Sequence, residues 1–172
     1  MMVRRGVGTG AALASVLLML SGCAAHGEGA ATARAREQFA DMSEQFATNA
    51  PAAKVGDFIA YVRDGKLDGR ALVAIDENGD PNPTDVGIGG QSGRLIYRAK
   101  VVDGDGVLGL IVVGHDSPAG WGTRSATVYT CLSATFDLEN GGEPEYADAE
   151  CIDQLRGSIA TDTHRTLQEL KG

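Results

Sequence analysis

Apolar side chains recur every three or four positions between residues 32 and 66, and mostly every second position after about residue 70. Ala35, Phe39, Met42 and Phe46 form one helical stripe, while Arg34, Glu37, Asp41 and Glu44 lie off it. The spacing predicts a helix over 32–48, ended by Asn49 and Pro51. Val55, Phe58, Ile59 and Val62 repeat the helical spacing, and Gly65 supplies a stop. Phe58 to Val62 is also short and β-rich enough for a strand; helix is the expectation.

The later segments read as strands. Ala71 to Ile75 is a short apolar run. Arg94 to Val102 alternates, with Leu95, Tyr97, Ala99 and Val101 on one face and Arg98 and Lys100 on the other. Asp103-Gly104-Asp105-Gly106 is a tight-turn signal, because glycine tolerates positive φ. Val107 to Val113 is almost wholly apolar, as in an interior strand covered on both faces. Ser125 to Phe136 alternates again, with Ala126, Val128, Thr130, Leu132, Ala134 and Phe136 on one face and Tyr129 and Cys131 on the other. Gly141-Gly142 breaks the chain, and Pro144 is suited to open a helix. Ala149, Ile152, Leu155 and Ile159 give that helix a stripe, Thr161-Asp162 interrupts it, and a last helical piece ends at Leu170. The expected fold is a single α+β domain over 32–172: an antiparallel four-stranded meander sheet with N-terminal and C-terminal helices packed on one face.

Composition narrows the class. The 172 residues are 43% hydrophobic and 22% charged, which is a globular balance rather than a disordered or collagen-like one. The formal net charge of -8 repels phosphate backbones, so no nucleic-acid partner is expected.

The N-terminus carries an address. Arg4 and Arg5 precede an apolar run from Ala11 to Leu20, too short to span a bilayer and suited to a signal-peptide core. The run ends in Leu20-Ser21-Gly22-Cys23, an apolar residue and two small ones before a cysteine. This resembles the lipobox of bacterial lipoproteins. The resemblance covers residues 1–23. It implies removal of 1–22, a diacylglyceryl group on the Cys23 thiol, and anchoring at the extracytoplasmic face of the cell membrane. The arginine pair also raises twin-arginine export, but Gly6-Val7-Gly8 lacks the hydrophobic residues that route calls for. Residues 23–31 then read as the lipidated cysteine and a flexible tether of about 15 Å r.m.s. span; His26 lies in it with no assigned role.

Three cysteines are an odd number, and an odd thiol outside the cell needs an explanation. With lipid on Cys23, Cys131 and Cys151 remain as a pair, expected to be oxidised outside the cytoplasm. The alternative is two unpaired buried thiols. No CxxC spacing or neighbouring histidine favours a metal there.

Four segments carry candidate chemistry. Gly114-His115-Asp116-Ser117 holds the residue types of a hydrolase triad, but consecutive side chains rarely converge, and the segment reads as a surface turn. Asp76, Asn78 and Asp80 occupy positions one, three and five of an EF-hand-like calcium pattern. That pattern then fails, because Pro81 stands at the turn glycine and Gly87 at the bidentate acid. Gly87 to Gly93 is glycine-rich but lacks a Walker lysine, and reads as a loop with no cofactor implied. Trp121, the only tryptophan, lies between two strands, either as an interaction anchor or folded back over the sheet. Glu139, Glu143, Glu145, Asp148 and Glu150 form an acidic run, read as a solvated face.

Two function classes follow. The first is a non-enzymatic binding or interaction module held at the cell surface by lipid on Cys23, taking an extracellular protein or a small-molecule ligand. The second is a small extracellular hydrolase or metal-dependent enzyme using His115 and Asp116. The second requires His115 in a concave pocket beside another polar group.

Overall fold

The stripe around Phe39 begins earlier than its first large residue suggests. In the computed structural model, which describes residues 26–82, 92–117, 125–153 and 163–172, helix α1 runs from His26 to Asn49. Ala31 extends the stripe one turn backwards, and Ala31, Ala35, Phe39, Met42 and Phe46 are all buried. Residues 26–31, expected as tether, are therefore helical. The reason lies across the interface. Gly114 approaches so closely that a Cβ there would lie 2.0 Å from the Ala31 carbonyl oxygen. Small residues on both sides let helix and sheet backbones meet, and this contact anchors the first turns.

A 3₁₀ turn, Ala50–Ala52, follows with Pro51 in its first turn. Helix α2, Phe58–Arg63, is the second predicted helix. It ends in a Schellman motif: the Gly65 amide donates to the Val62 carbonyl and the Lys66 amide to that of Tyr61. Gly65 takes φ +69°, as the motif requires. Phe58 and Val62 are buried, whereas Val55 precedes the helix and is exposed.

Among the described residues, six strands form one mixed sheet in the order β1-β2-β3-β4-β5, with β6 pairing β4 as well. They are β1 Leu72–Val73, β2 Gly93–Val102, β3 Asp105–Asp116, β4 Ala126–Asp137, β5 Glu145–Asp148 and β6 Thr163–His164. Strands β2 to β5 are successively antiparallel. The sheet is not a pure four-stranded meander, because β1 pairs β2 in parallel and β6 pairs β4 in parallel. The chain from 74 to 92 is long enough to return a parallel strand, where a tight turn could only give an antiparallel one. The β2–β3 turn is the predicted one, with Asp103 at φ 53° and Gly104 at φ 94°.

Two further expectations change. Between Ile96 and Arg98 the β2 register shifts. Tyr97 shares a face with Leu95 as expected, but Ala99 and Val101 pass to the face of Ile96. Strict alternation cannot see such a bulge. Pro144 opens strand β5 rather than a helix. Tyr146 pairs with Ala134 on β4 and sets its ring edge-on to Phe39 at 5.2 Å, so aromatic packing outweighs the proline signal. The stripe residues Leu155 and Ile159 lie outside the described residues. A short C-terminal helix, α3, spans Leu167–Lys171 and opens with a capping box between Thr166 and Glu169.

The α-helices α1, α2 and α3 among the described residues contribute to one core on one sheet face. It joins Phe39, Met42, Phe46, Phe58, Leu167 and Leu170 to Ile96, Leu108, Leu110, Val112, Val128, Leu132 and Phe136. The other face carries a smaller cluster of Ala74, Leu95, Tyr97, Ile111, Val113 and Cys131, with Cys151 and Ile152 packed on it. Strand β3 is thus covered on both faces, as its apolar run implies. Cys131 and Cys151 are joined in a disulfide, Cα–Cα 5.4 Å, which ties the segment after β5 to the middle of β4. No helix among the described residues is long and apolar enough to cross a membrane.

Candidate functional site

The second sheet face carries Tyr97 and Tyr129 beside its apolar cluster. Residues 127, 129 and 131 of β4 alternate onto this face. Their register brings His115 opposite Thr127, and Val113 and His164 opposite Tyr129. The His115 Nδ1 lies 2.9 Å from the Thr127 hydroxyl. The His164 ring meets the Tyr129 ring edge-on at 5.3 Å. The Arg165 amide donates to the Tyr129 carbonyl, and the Ala149 amide to the Cys131 carbonyl, so the two segments flanking β4 are pinned to it. Between them lies a cleft of about 370 Å³ lined by Tyr129, Ala149, Glu150, Cys151 and His164. Cys131 is fully buried, whereas Cys151 is half-buried and lines the cleft. Two aromatic rings, one carboxylate and a disulfide thus share one concavity.

His115 and Asp116 belong to β3 and not to a turn. Successive strand residues point to opposite faces, so the two side chains do not converge. The Ser92 hydroxyl accepts from the His115 amide at 2.8 Å and lies 3.2 Å from the His115 carbonyl as its donor. Its proton is committed to backbone and not to the imidazole. Ser117 and Ser125 are exposed. Among the described residues, the hydroxyl held by the His115 ring is that of Thr127.

The calcium candidates serve a turn. Asp76 Oδ1 accepts from the amides of Asn78 at 2.8 Å and Asp80 at 2.9 Å. The Asp76 amide donates to the Asp80 carbonyl, and the Asp80 carboxylate pairs with Lys100 at 2.7 Å. The Ala99 amide donates to the Gly79 carbonyl, which docks the turn on β2. Among the described residues, no group of three or more histidine, cysteine, aspartate or glutamate side chains is placed to hold a metal. Cys23, Trp121 and the 87–91 part of the glycine-rich segment lie outside the described residues.

Sequence reasoning missed one constellation. Arg94 is 3% exposed and Asp68 is 1% exposed, yet both carry charge. Arg94 grips Asp68 through Nε and through a second nitrogen at 2.9 Å, and reaches Asp41 at 2.7 Å. Gln38 accepts from it at 3.2 Å, and Arg70 completes the cluster by pairing with Asp41 at 2.9 Å. The buried Arg94–Asp68 pair is charge-balanced, which is the condition for keeping charge inside, while the largely exposed Arg70 balances the half-buried Asp41 at the rim. The Arg94 hydrogen bond, reinforced by the charges of Arg94 and Arg70 and opposed by desolvation, holds the Asp41 carboxyl below its usual range. The cluster joins α1, the 64–71 segment and β2. One signal was available: Arg94 shares a strand face with the core residue Ile96. Family models, characterised proteins and solved structures were all compared with the chain, and none matches.

Proposed function

We propose that this protein is an exported lipoprotein, anchored through Cys23 at the extracytoplasmic face of the membrane, whose domain is a non-enzymatic binding module. The observation that carries the reading is the N-terminal run of Arg4-Arg5, an apolar stretch and Leu20-Ser21-Gly22-Cys23. The cysteine arithmetic supports it. Cys131 and Cys151 are joined, which suits an oxidising compartment and leaves Cys23 as the third cysteine. The cleft beside the disulfide supports the binding half of the reading, because aromatic walls with a few polar groups are what a small ligand or a side chain of a partner enters.

Fractionation of cells producing the full chain tests the anchor. Wild type belongs in the membrane fraction, and Cys23→Ala belongs outside it. A Cys23→Ala chain that remains membrane-bound contradicts lipid anchoring. Crosslinking on intact cells tests the module, with Trp121→Ala and Tyr129→Ala as controls. A stoichiometric partner lost in either control supports it. Turnover of an ester or peptide substrate abolished by His115→Ala contradicts it.

A further inference from the structure

Helix α1 begins only three residues after Cys23. Whatever path residues 24 and 25 take, three peptide units reach at most about 11 Å. A lipid on Cys23 therefore holds the first turn of α1 close to the headgroups, far closer than a flexible tether to residue 32 would.

The packing of α1 says which end of the domain is held there. Ala31 meets Gly114, which pairs with Val128. Fifteen residues later Phe46 meets Phe136 at 5.4 Å, eight residues further along β4. Fifteen helical residues rise about 22 Å, and eight strand residues about 27 Å. Helix and strand therefore run side by side in the same direction. The start of α1 is level with Asp116 and Ala126, and its end is level with the β2–β3 turn at Asp103 and the loop after Asp137. About 36 Å of β3 separates the two ends.

Charge is divided along the same axis. The described residues at the α1 start include Ser92, His115, Ser117, Ser125 and Ala126, with Asp116 among them and Glu28 paired to Arg165. The opposite end gathers Asp103, Asp105, Asp137, Glu139, Glu143 and Glu145, six acids against the single lysine, Lys54, that shares a cleft with Asp137 and Glu139 among the described residues. An anionic leaflet repels that second set. Covalent reach and electrostatics thus select the same orientation independently.

We infer that the domain stands end-on upon the lipid surface, with the Asp116/Ala126 end of the sheet against the headgroups and the acidic Asp103/Asp137 end directed outward. The inference rests on the proposed lipidation of Cys23. It makes the lipid surface the partner of the near end and leaves the acidic end for whatever approaches from outside.

The test uses the full, lipid-modified chain in vesicles of anionic and zwitterionic lipid, a fraction of it carrying a headgroup quencher. A fluorophore is placed at Ser117→Cys or at Ala52→Cys. Both positions are exposed, and Ala52 adjoins residues that line a cleft with Asp137 and Asn140 at the far end. With Cys23 in a thioether and Cys131 bonded to Cys151, the introduced thiol is the one labelled. Quenching several-fold stronger at 117 than at 52 is the expected result, and a long Gly-Ser insertion between Ala25 and His26 abolishes the difference. Equal quenching at the two positions, in protein whose Cys23 modification is verified by mass, overturns the orientation alone. Unmodified Cys23 overturns the lipoprotein reading and the orientation with it.

Discussion

Arg94 illustrates how much a single buried charge constrains this fold. Its guanidinium is inside and fully paired, so removing one partner leaves an uncompensated ion in the interior. Asp68→Ala is expected to destabilise the domain by about 3–5 kcal/mol, measured by denaturant unfolding. Replacing Asp68 and Arg94 together with apolar residues of similar volume should recover much of that loss. Asp41 adds a pH dependence. Its folded pKa is lowered from 3.8, so its contribution is present above that value and is lost as pH falls through the folded one. The stability curve of Asp41→Asn should therefore converge on that of wild type at acid pH and fall below it at neutral pH. Curves separated by the same amount at every pH would contradict this. The cluster was not legible as a cluster, because its members are distant in sequence and only Arg94, on the strand face of Ile96, carried a sign of burial. The chemistry that was legible dissolved for a related reason. His115 and Asp116 have the right identities, but neighbours on a strand face apart.

At the scale of elements, the large apolar periods were readable and the small corrections were not. The Phe39–Phe46 stripe, the Phe58–Val62 helix and the Asp103-Gly104 turn all follow from local spacing. The start of α1 does not, because alanine extends the stripe without a strong signal and the helix depends on a glycine far along the chain. Gly114→Ala tests that dependence. Its Cβ would lie 2.0 Å from a backbone oxygen of α1, so the helix must move. The expected cost is about 1–3 kcal/mol or more, with faster amide exchange in the first turns of α1. Unchanged stability and exchange would mean that α1 starts independently of the sheet. Strand β5 was misread as helix because the pairing with β4 and the rings of Phe39 and Phe46 outweigh the proline. Strand β1 lies within the apolar run read as a strand, though its parallel pairing was not legible, and β6 is two residues long and leaves no periodic trace.

Across the whole molecule, one apolar sheet face, packed with the helices of the described residues, secures the fold, and a disulfide fastens the other. The bond closes a 21-residue loop and should stabilise the oxidised domain by about 3 kcal/mol in the chain-entropy model. Unfolding with and without a reductant checks that value, and the Cys131→Ala/Cys151→Ala variant should match the reduced protein. The α+β class was legible from the order of periods, whereas the mixed sheet depends on pairings between distant segments. We propose that this domain is carried to the membrane and held there by Cys23. Mass spectrometry of the N-terminal peptide of full-length protein extracted from membranes tests it most directly. A peptide that begins at Cys23 and bears a diacylglyceryl group on its thiol is the expected result. A chain that retains residues 1–22, or one with an unmodified Cys23, would contradict it.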